Sequence, residues 1–214
     1  MDVVVVGGHG KIGLLLLGLL AERGDRARGV IRNPDHAADI EGTGAEALVV
    51  DLENEDLAAE HLAGADAVVF AAGAGPGSGP ERKRTVDYGA AVKLIEACRA
   101  HGVSRYLMIS AIGVGRDPSE WPEKMVPYYE AKRDADNELL EAGLEHTIVR
   151  PGMLTDERGR GAVEVAPELD HSGSVTREDV AAVLAEVLVA ENTIGKTFDL
   201  ISGETPIPDV VRSL

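Results

Sequence analysis

Short apolar runs alternate with longer amphipathic stretches along most of the chain, the pattern of βαβ units that feed a parallel sheet. The runs Asp2–Val6, Ala27–Ile31, Ala47–Val50, Ala67–Ala71, Arg105–Ile109 and His146–Arg150 predict strands. Each is short, rich in β-branched residues and almost continuously apolar, as expected of strands covered on both faces. The stretches between them predict helices at Lys11–Arg23, Asn33–Ile40, Glu55–Leu62, Glu81–His101 and Pro127–Ala142. In the first, Ile12, Leu15, Leu16, Leu19 and Leu20 recur at helical spacing and are expected to face the sheet. Beyond Pro151 the pattern thins to a helix over Arg177–Ala190, a strand over Thr197–Ile201 and a short terminal helix. Thr176 and Asp179 stand as a capping box for the first of these. The expected architecture is α/β, a Rossmann-type doubly wound parallel sheet with helices on both faces. Residues 1–214 are expected to form one domain, with 151–214 as its small C-terminal, substrate-side part.

Gly7-Gly8-His9-Gly10-Lys11-Ile12-Gly13 falls where the first strand ends and the first helix begins. It satisfies G-x-x-G-x-x-G from Gly7 and G-x-G-x-x-G from Gly8, in the strand-turn-helix setting that the motif needs. Glycines allow the tight turn and a close backbone approach, and the helix N-terminus then meets a pyrophosphate. The expected dinucleotide contacts are Gly7, His9, Gly10, Lys11, Ile12 and Gly13, with Asp51 and Leu52 after the third strand and Ala71, Ala72 and Gly73 after the fourth. At the end of the second strand, where an acid would hold the ribose of NAD, stand Arg32 and Asn33. Arg32 suits a bidentate pair with a 2′-phosphate, so NADP is favoured over NAD.

Tyr128 and Lys132 form Y-x-x-x-K on a predicted helix, four residues apart and therefore on one face. A nearby ammonium stabilises a phenolate and lowers the tyrosine pKa toward the range of an acid/base catalyst, and the lysine can also reach the cofactor. Tyr129, with Arg133 four residues on, is the rival pair. Ser110, at the end of the fifth strand, is a candidate hydrogen-bond donor to a substrate carbonyl. The low-complexity loop Gly73–Pro80 and the segment Gly113–Val126, with Trp121, are expected to cover the site.

The formal charge of −16 disfavours nucleic acid and anionic membrane surfaces as partners. Aromatic residues are 3% of a chain that is 44% hydrophobic, so the core must be built from Ala, Val, Leu and Ile. A lone Cys98 and six scattered histidines exclude a disulfide framework and a zinc site. The chain opens directly into a strand and has no span long enough for a bilayer, which together indicate a cytoplasmic protein. A small-molecule substrate and a monomer or homodimer are expected.

The turn Gly7–Gly13, the Ser110 strand end, Tyr128 with Lys132, and Val149-Arg150-Pro151-Gly152 occur in the order seen in short-chain dehydrogenases/reductases. Over nearly its whole length the chain resembles the atypical branch of that family. It is similar to NAD-dependent epimerase/dehydratase-like proteins and to the biliverdin reductase B and NmrA-like groups. The resemblance implies about seven parallel strands, a tyrosine acid/base at Tyr128, Lys132 on the ribose and Pro151 beside the nicotinamide. The chain departs from the pattern in two places. Ala111 stands where a second serine is usual, and Asp87 where many members carry asparagine. An NADP-dependent oxidoreductase acting on a small carbonyl or alcohol is therefore expected. A non-catalytic redox sensor is the alternative, and an epimerase or dehydratase the weaker one.

Overall fold

Val3, Val4 and Val5 are wholly buried, as are Val68, Val69 and Phe70 three strands later in the sequence. A strand with no exposed face cannot alternate polar and apolar residues, which is why these runs are continuous. The computed structural model describes residues 1–57, 59–75 and 77–214. In chain order the elements are β1 (Asp2–Val6), α1 (Lys11–Arg23), β2 (Arg26–Ile31), α2 (Ala37–Glu41), β3 (Glu46–Val49), α3 (Ala59–Leu62) and β4 (Ala67–Phe70). Next comes α4 (Pro80–Arg82), continued by a wide-turned π stretch at Lys83–Ala90 into α5 (Ala91–His101). Then follow β5 (Arg105–Ile109), α6 (Val126–Glu141), β6 (Glu145–Pro151), β7 (Met153–Thr155), β8 (Ala162–Ala166), β9 (Ser174–Thr176), α7 (Arg177–Val189), β10 (Lys196–Ser202), β11 (Thr205–Pro206) and α8 (Ile207–Ser213).

Among the described residues the main sheet runs β11-β8-β10-β6-β5-β4-β1-β2-β3. From β3 to β10 every pairing is parallel, giving the expected doubly wound core, and β8 and β11 add an antiparallel edge. One face packs on α1, α7 and α8 through residues such as Leu16, Leu20, Val183 and Val210. The other packs on α5 and α6 through Leu94, Ile95, Ala135 and Leu139. The chain builds outward from β1 to β3 and then crosses to β4 on the other side of β1. The order therefore reverses between β1 and β4, which opens a crevice at the carboxyl ends of these strands.

Several expectations shift. The buried face of α1 is Ile12, Gly13, Leu16, Leu17 and Leu20. Leu15 and Leu19 are 36% exposed, because the stripe is turned to bring Gly13 onto the preceding loop. The helix expected at Glu55–Leu62 forms only at Ala59–Leu62, Glu55–Leu57 being non-helical and Ala58 outside the described residues. Pro76, in the predicted loop, is likewise outside them. The capping box is half made: Thr176 Oγ1 accepts the Asp179 N–H at 3.0 Å. The Asp179 carboxylate does not return to the Thr176 N–H but accepts the Thr176 hydroxyl and the N–H groups of Arg160 and Gly161. It thereby ties the loop before β8 to α7. Strands β7, β8, β9 and β11, absent from the sequence reading, are two to five residues long. Of these, the alternating Ala162-Val163-Glu164-Val165-Ala166 carries the period-2 signal most clearly.

Two glycines of α1 separate close approach from mere presence. A Cβ on Gly13 would lie 2.3 Å from the Gly7 carbonyl oxygen, whereas one on Gly18 would meet nothing within 4 Å. Gly13→Ala is expected to lose about 3 kcal/mol, roughly 6–12 °C in Tm for a domain of this size. Gly18→Ala is expected to gain about 0.5–1 kcal/mol from restored helix propensity. Thermal unfolding of the two variants, side by side, checks both signs.

Candidate functional site: a dinucleotide cleft

The crevice is a cavity of about 450 Å³ between the ends of β1, β2, β3 and β4. Gly7 turns the chain with φ +84°, and a Cβ there would stand 2.7 Å from the Ala72 Cα. This position therefore rejects a side chain on both conformational and steric grounds. Gly10 caps α1 in an extended conformation without any side-chain acceptor, and the first turn holds no acidic residue. The first-turn N–H groups are thus left for an external anion, as a pyrophosphate requires. Ala71, Ala72 and Gly73 form the opposite wall with small side chains.

At the far end the Arg32 side chain is half exposed and its Nη1 donates to Glu53 Oε2 at 3.1 Å. Arg82 Nη2 reaches the same oxygen at 3.3 Å, and the Thr85 hydroxyl donates to Glu53 Oε1 at 2.9 Å. His9 and His36 stack at 3.6 Å beside them, with His9 Nε2 against Asp39 at 2.8 Å. Asp51 and Leu52 line the wall. Asn33 does not: its side chain accepts the Asp35 N–H and caps the helical turn that follows β2. Lys11 points away to Asp156, which Arg177 also holds, and Ile12 is buried in the core. Glu53, Arg82, Thr85 and His36 were not singled out in the sequence. Arg82 reaches the cleft, and Thr85 holds Glu53 at its wall, where α4 widens into the π stretch, a distortion that no periodicity announces.

The other candidates gather beyond the cleft, at the ends of β4, β5 and β6. Lys132 is buried on α6, its Nζ donating to the Ile109 carbonyl at 3.0 Å and pairing with Asp87 at 3.3 Å. Asp87 is also buried and accepts the Ala74 N–H, so here an ion pair occupies the place where the family usually has asparagine. Burial opposes the Lys132 charge, but Tyr128, Asp87 and Asp136 outweigh it and hold its pKa above the ordinary lysine value. Tyr128 departs from expectation. Its pKa is raised, not lowered, because burial dominates over the pull of Lys132, and Asp87 and Asp136 add to the rise. The rival Tyr129 packs edge-on against Trp121 at 5.4 Å, and Arg133 stacks over the same indole.

One turn beyond Lys132, Asp136 is wholly buried and takes two hydrogen bonds from Arg150, at 3.0 and 2.9 Å. Its other oxygen and the Ser110 hydroxyl are buried without an aligned hydrogen-bond partner, and Ser110 lies near enough to stabilise the Asp136 carboxylate. Tyr106 and Met108 share this face of β5 with Ser110, so the serine faces α6. Pro151 ends β6 and its carbonyl accepts the Ile112 N–H. Cys98 is buried in the core, its thiol pushed up to about 12 by desolvation. Among the described residues no acidic, histidine or cysteine cluster could hold a metal ion, and no helix is long and apolar enough to cross a membrane.

A family model described as NAD(P)H-binding matches residues 7–191. The chain is 38% identical to the uncharacterised sugar epimerase YhfK of Bacillus subtilis over the full length of both. It is 35% identical to the UPF0659 protein YMR090W of Saccharomyces cerevisiae, covering 100% of this chain and 99% of that one. A solved structure from Bacillus halodurans, described as a candidate NAD-dependent epimerase/dehydratase, superposes over both whole chains with TM-score 0.95 at 41% identity. The oxidoreductase ylbE of Lactococcus lactis follows with TM-score 0.86 at 28% identity, covering 100% of this chain and 96% of that one. The glycine turn, the reversal of strand order beside it and these relatives agree: the chain belongs to the NAD(P)H-binding family, in the atypical branch of the short-chain dehydrogenases/reductases.

Proposed function

We propose that the protein is an NADP(H)-dependent oxidoreductase that reduces a small carbonyl compound, with Tyr128 as the proton donor. The observation that carries this reading is Lys132, buried between the Ile109 carbonyl and Asp87 on the same helical face as Tyr128. A bound nicotinamide supplies the hydride. Tyr128 gives its phenolic proton to the carbonyl oxygen as the alcohol forms, and the Lys132 ammonium stabilises the phenolate left behind until solvent reprotonates it. An ammonium has three donors; one goes to the Ile109 carbonyl, so donor capacity remains for the phenol or the cofactor beside the ion pair with Asp87. A tyrosine whose pKa is raised is protonated throughout the neutral range, which favours the acid role and hence reduction. Arg32 and Arg82 at the other end, with no acid at the end of β2, favour NADP over NAD.

The names of the relatives carry a second reading, a sugar epimerase. It needs Tyr128 as a base, which its raised pKa opposes. Purified protein offered NADPH with aldehydes, ketones, quinones and flavins separates the readings. Net NADPH oxidation supports reduction, and inversion of a sugar without net oxidation supports the epimerase. Tight NADPH binding without either makes the protein a cofactor sensor.

Tyr128→Phe is expected to lower kcat about 10²–10⁴-fold while leaving the NADPH Kd within about twofold. The rate of reduction in the unsubstituted protein should stay level through neutral pH and fall only above about pH 10, as the phenol ionises. Arg32→Ala is expected to weaken NADPH about thirtyfold, the value of a lost charge-assisted hydrogen bond, and to weaken NADH much less. Fluorescence titration with the two cofactors checks it.

A further inference from the structure

Glu53 is held at the mouth of the adenosine end by three donors from two separate elements. Its Oε2 takes Arg32 at 3.1 Å from the end of β2 and Arg82 at 3.3 Å from α4, and its Oε1 takes Thr85 at 2.9 Å. The carboxylate lines the cleft together with both arginines and His36. Two guanidinium groups converging on one acceptor from different elements form an anion site, and in this structure the chain's own carboxylate fills it. Arg82 also carries a buried Nε that has no acceptor, a donor that a larger anion with more oxygens could satisfy.

We propose that Glu53 is the residue that sets cofactor choice, acting as an internal stand-in for the 2′-phosphate that NADP(H) must displace. This rests on the reading that Arg32 faces the 2′ position. A phosphate carries about two charges against the one of a carboxylate and offers three oxygens, so it can outcompete Glu53 for the arginines. The displaced carboxylate then stays close to the phosphate and repels it. NADPH affinity is thereby held below what the two arginines alone would give, and NADH, with a hydroxyl at that position, escapes the penalty. Glu53 narrows the preference that Arg32 and Arg82 create.

The test is the Kd of NADPH and of NADH, by fluorescence titration, for the unsubstituted protein, Glu53→Gln, Arg82→Gln and the double variant. Glutamine keeps the shape and an acceptor for Thr85. Glu53→Gln is expected to raise the ratio of NADPH to NADH affinity about tenfold, with the gain in NADPH binding. Adding Arg82→Gln should cancel most of that gain, a coupling that independent sites would not show. An unchanged ratio, or a rise that comes from lost NADH affinity, overturns the proposal; the latter would make Glu53 a ribose ligand. Failure of the underlying reading looks different: Arg32→Ala then leaves the ratio unchanged in both backgrounds.

Discussion

The molecule is organised by the need to bring the first turn of one helix into backbone contact with the strand it follows. A helix N-terminus attracts an anion only at short range, because its effect falls off within a turn. The anion must therefore reach the N–H groups themselves, and any side chain between helix and loop would hold it away. Gly13 seats α1 against the Gly7 carbonyl at a spacing that excludes even a methyl group. With α1 fixed there, α7 and α8 share its face of the sheet, and the ends of β2, β3 and β4 close around the space in front of it.

The two ends of the site treat charge in opposite ways. The end of the cleft at Arg32 is solvated: Arg32 and Arg82 are 55% and 41% exposed, and pairing there is weak enough to be exchanged for a ligand. The α6 end is dry. Asp87, Lys132 and Asp136 are each buried to within a few per cent, and Arg150 is largely covered. Charges in such a place persist only because each has a partner, and removing one would strand another. Tyr128, Lys132 and Asp136 recur every four residues on α6, so a single helical stripe carries phenol, ammonium and carboxylate in sequence. Burial of the phenol, against the pull of the Lys132 ammonium, is what keeps it protonated.

How far the sequence spoke for itself depended on distance along the chain. The glycine turn, the parallel strands and the Y-x-x-x-K pair are local patterns, and local patterns survive in a linear reading. Placing Tyr128 beside Lys132 needed only helical spacing, but the direction of the tyrosine shift is set by burial in the folded chain, with Asp87, forty-one residues upstream, adding to it. Glu53 was hidden for the same reason, since its meaning comes from arginines on two other elements. Asn33 shows the converse: its type suited the site, but the backbone next to it needed a cap, and the cap won. Strands β7, β9 and β11 were missed because two or three residues are too few for a hydrophobic rhythm to establish itself, whereas the five-residue β8 did carry an alternating pattern.

The strand β11 at one border of the sheet has only two residues, the second of them Pro206. An open border is a template on which a stray strand can polymerise. Proline presents no N–H to such a visitor, and the chain turns at once into α8. The fold thus carries its own stop signal on this flank, so the sheet ends where the molecule does.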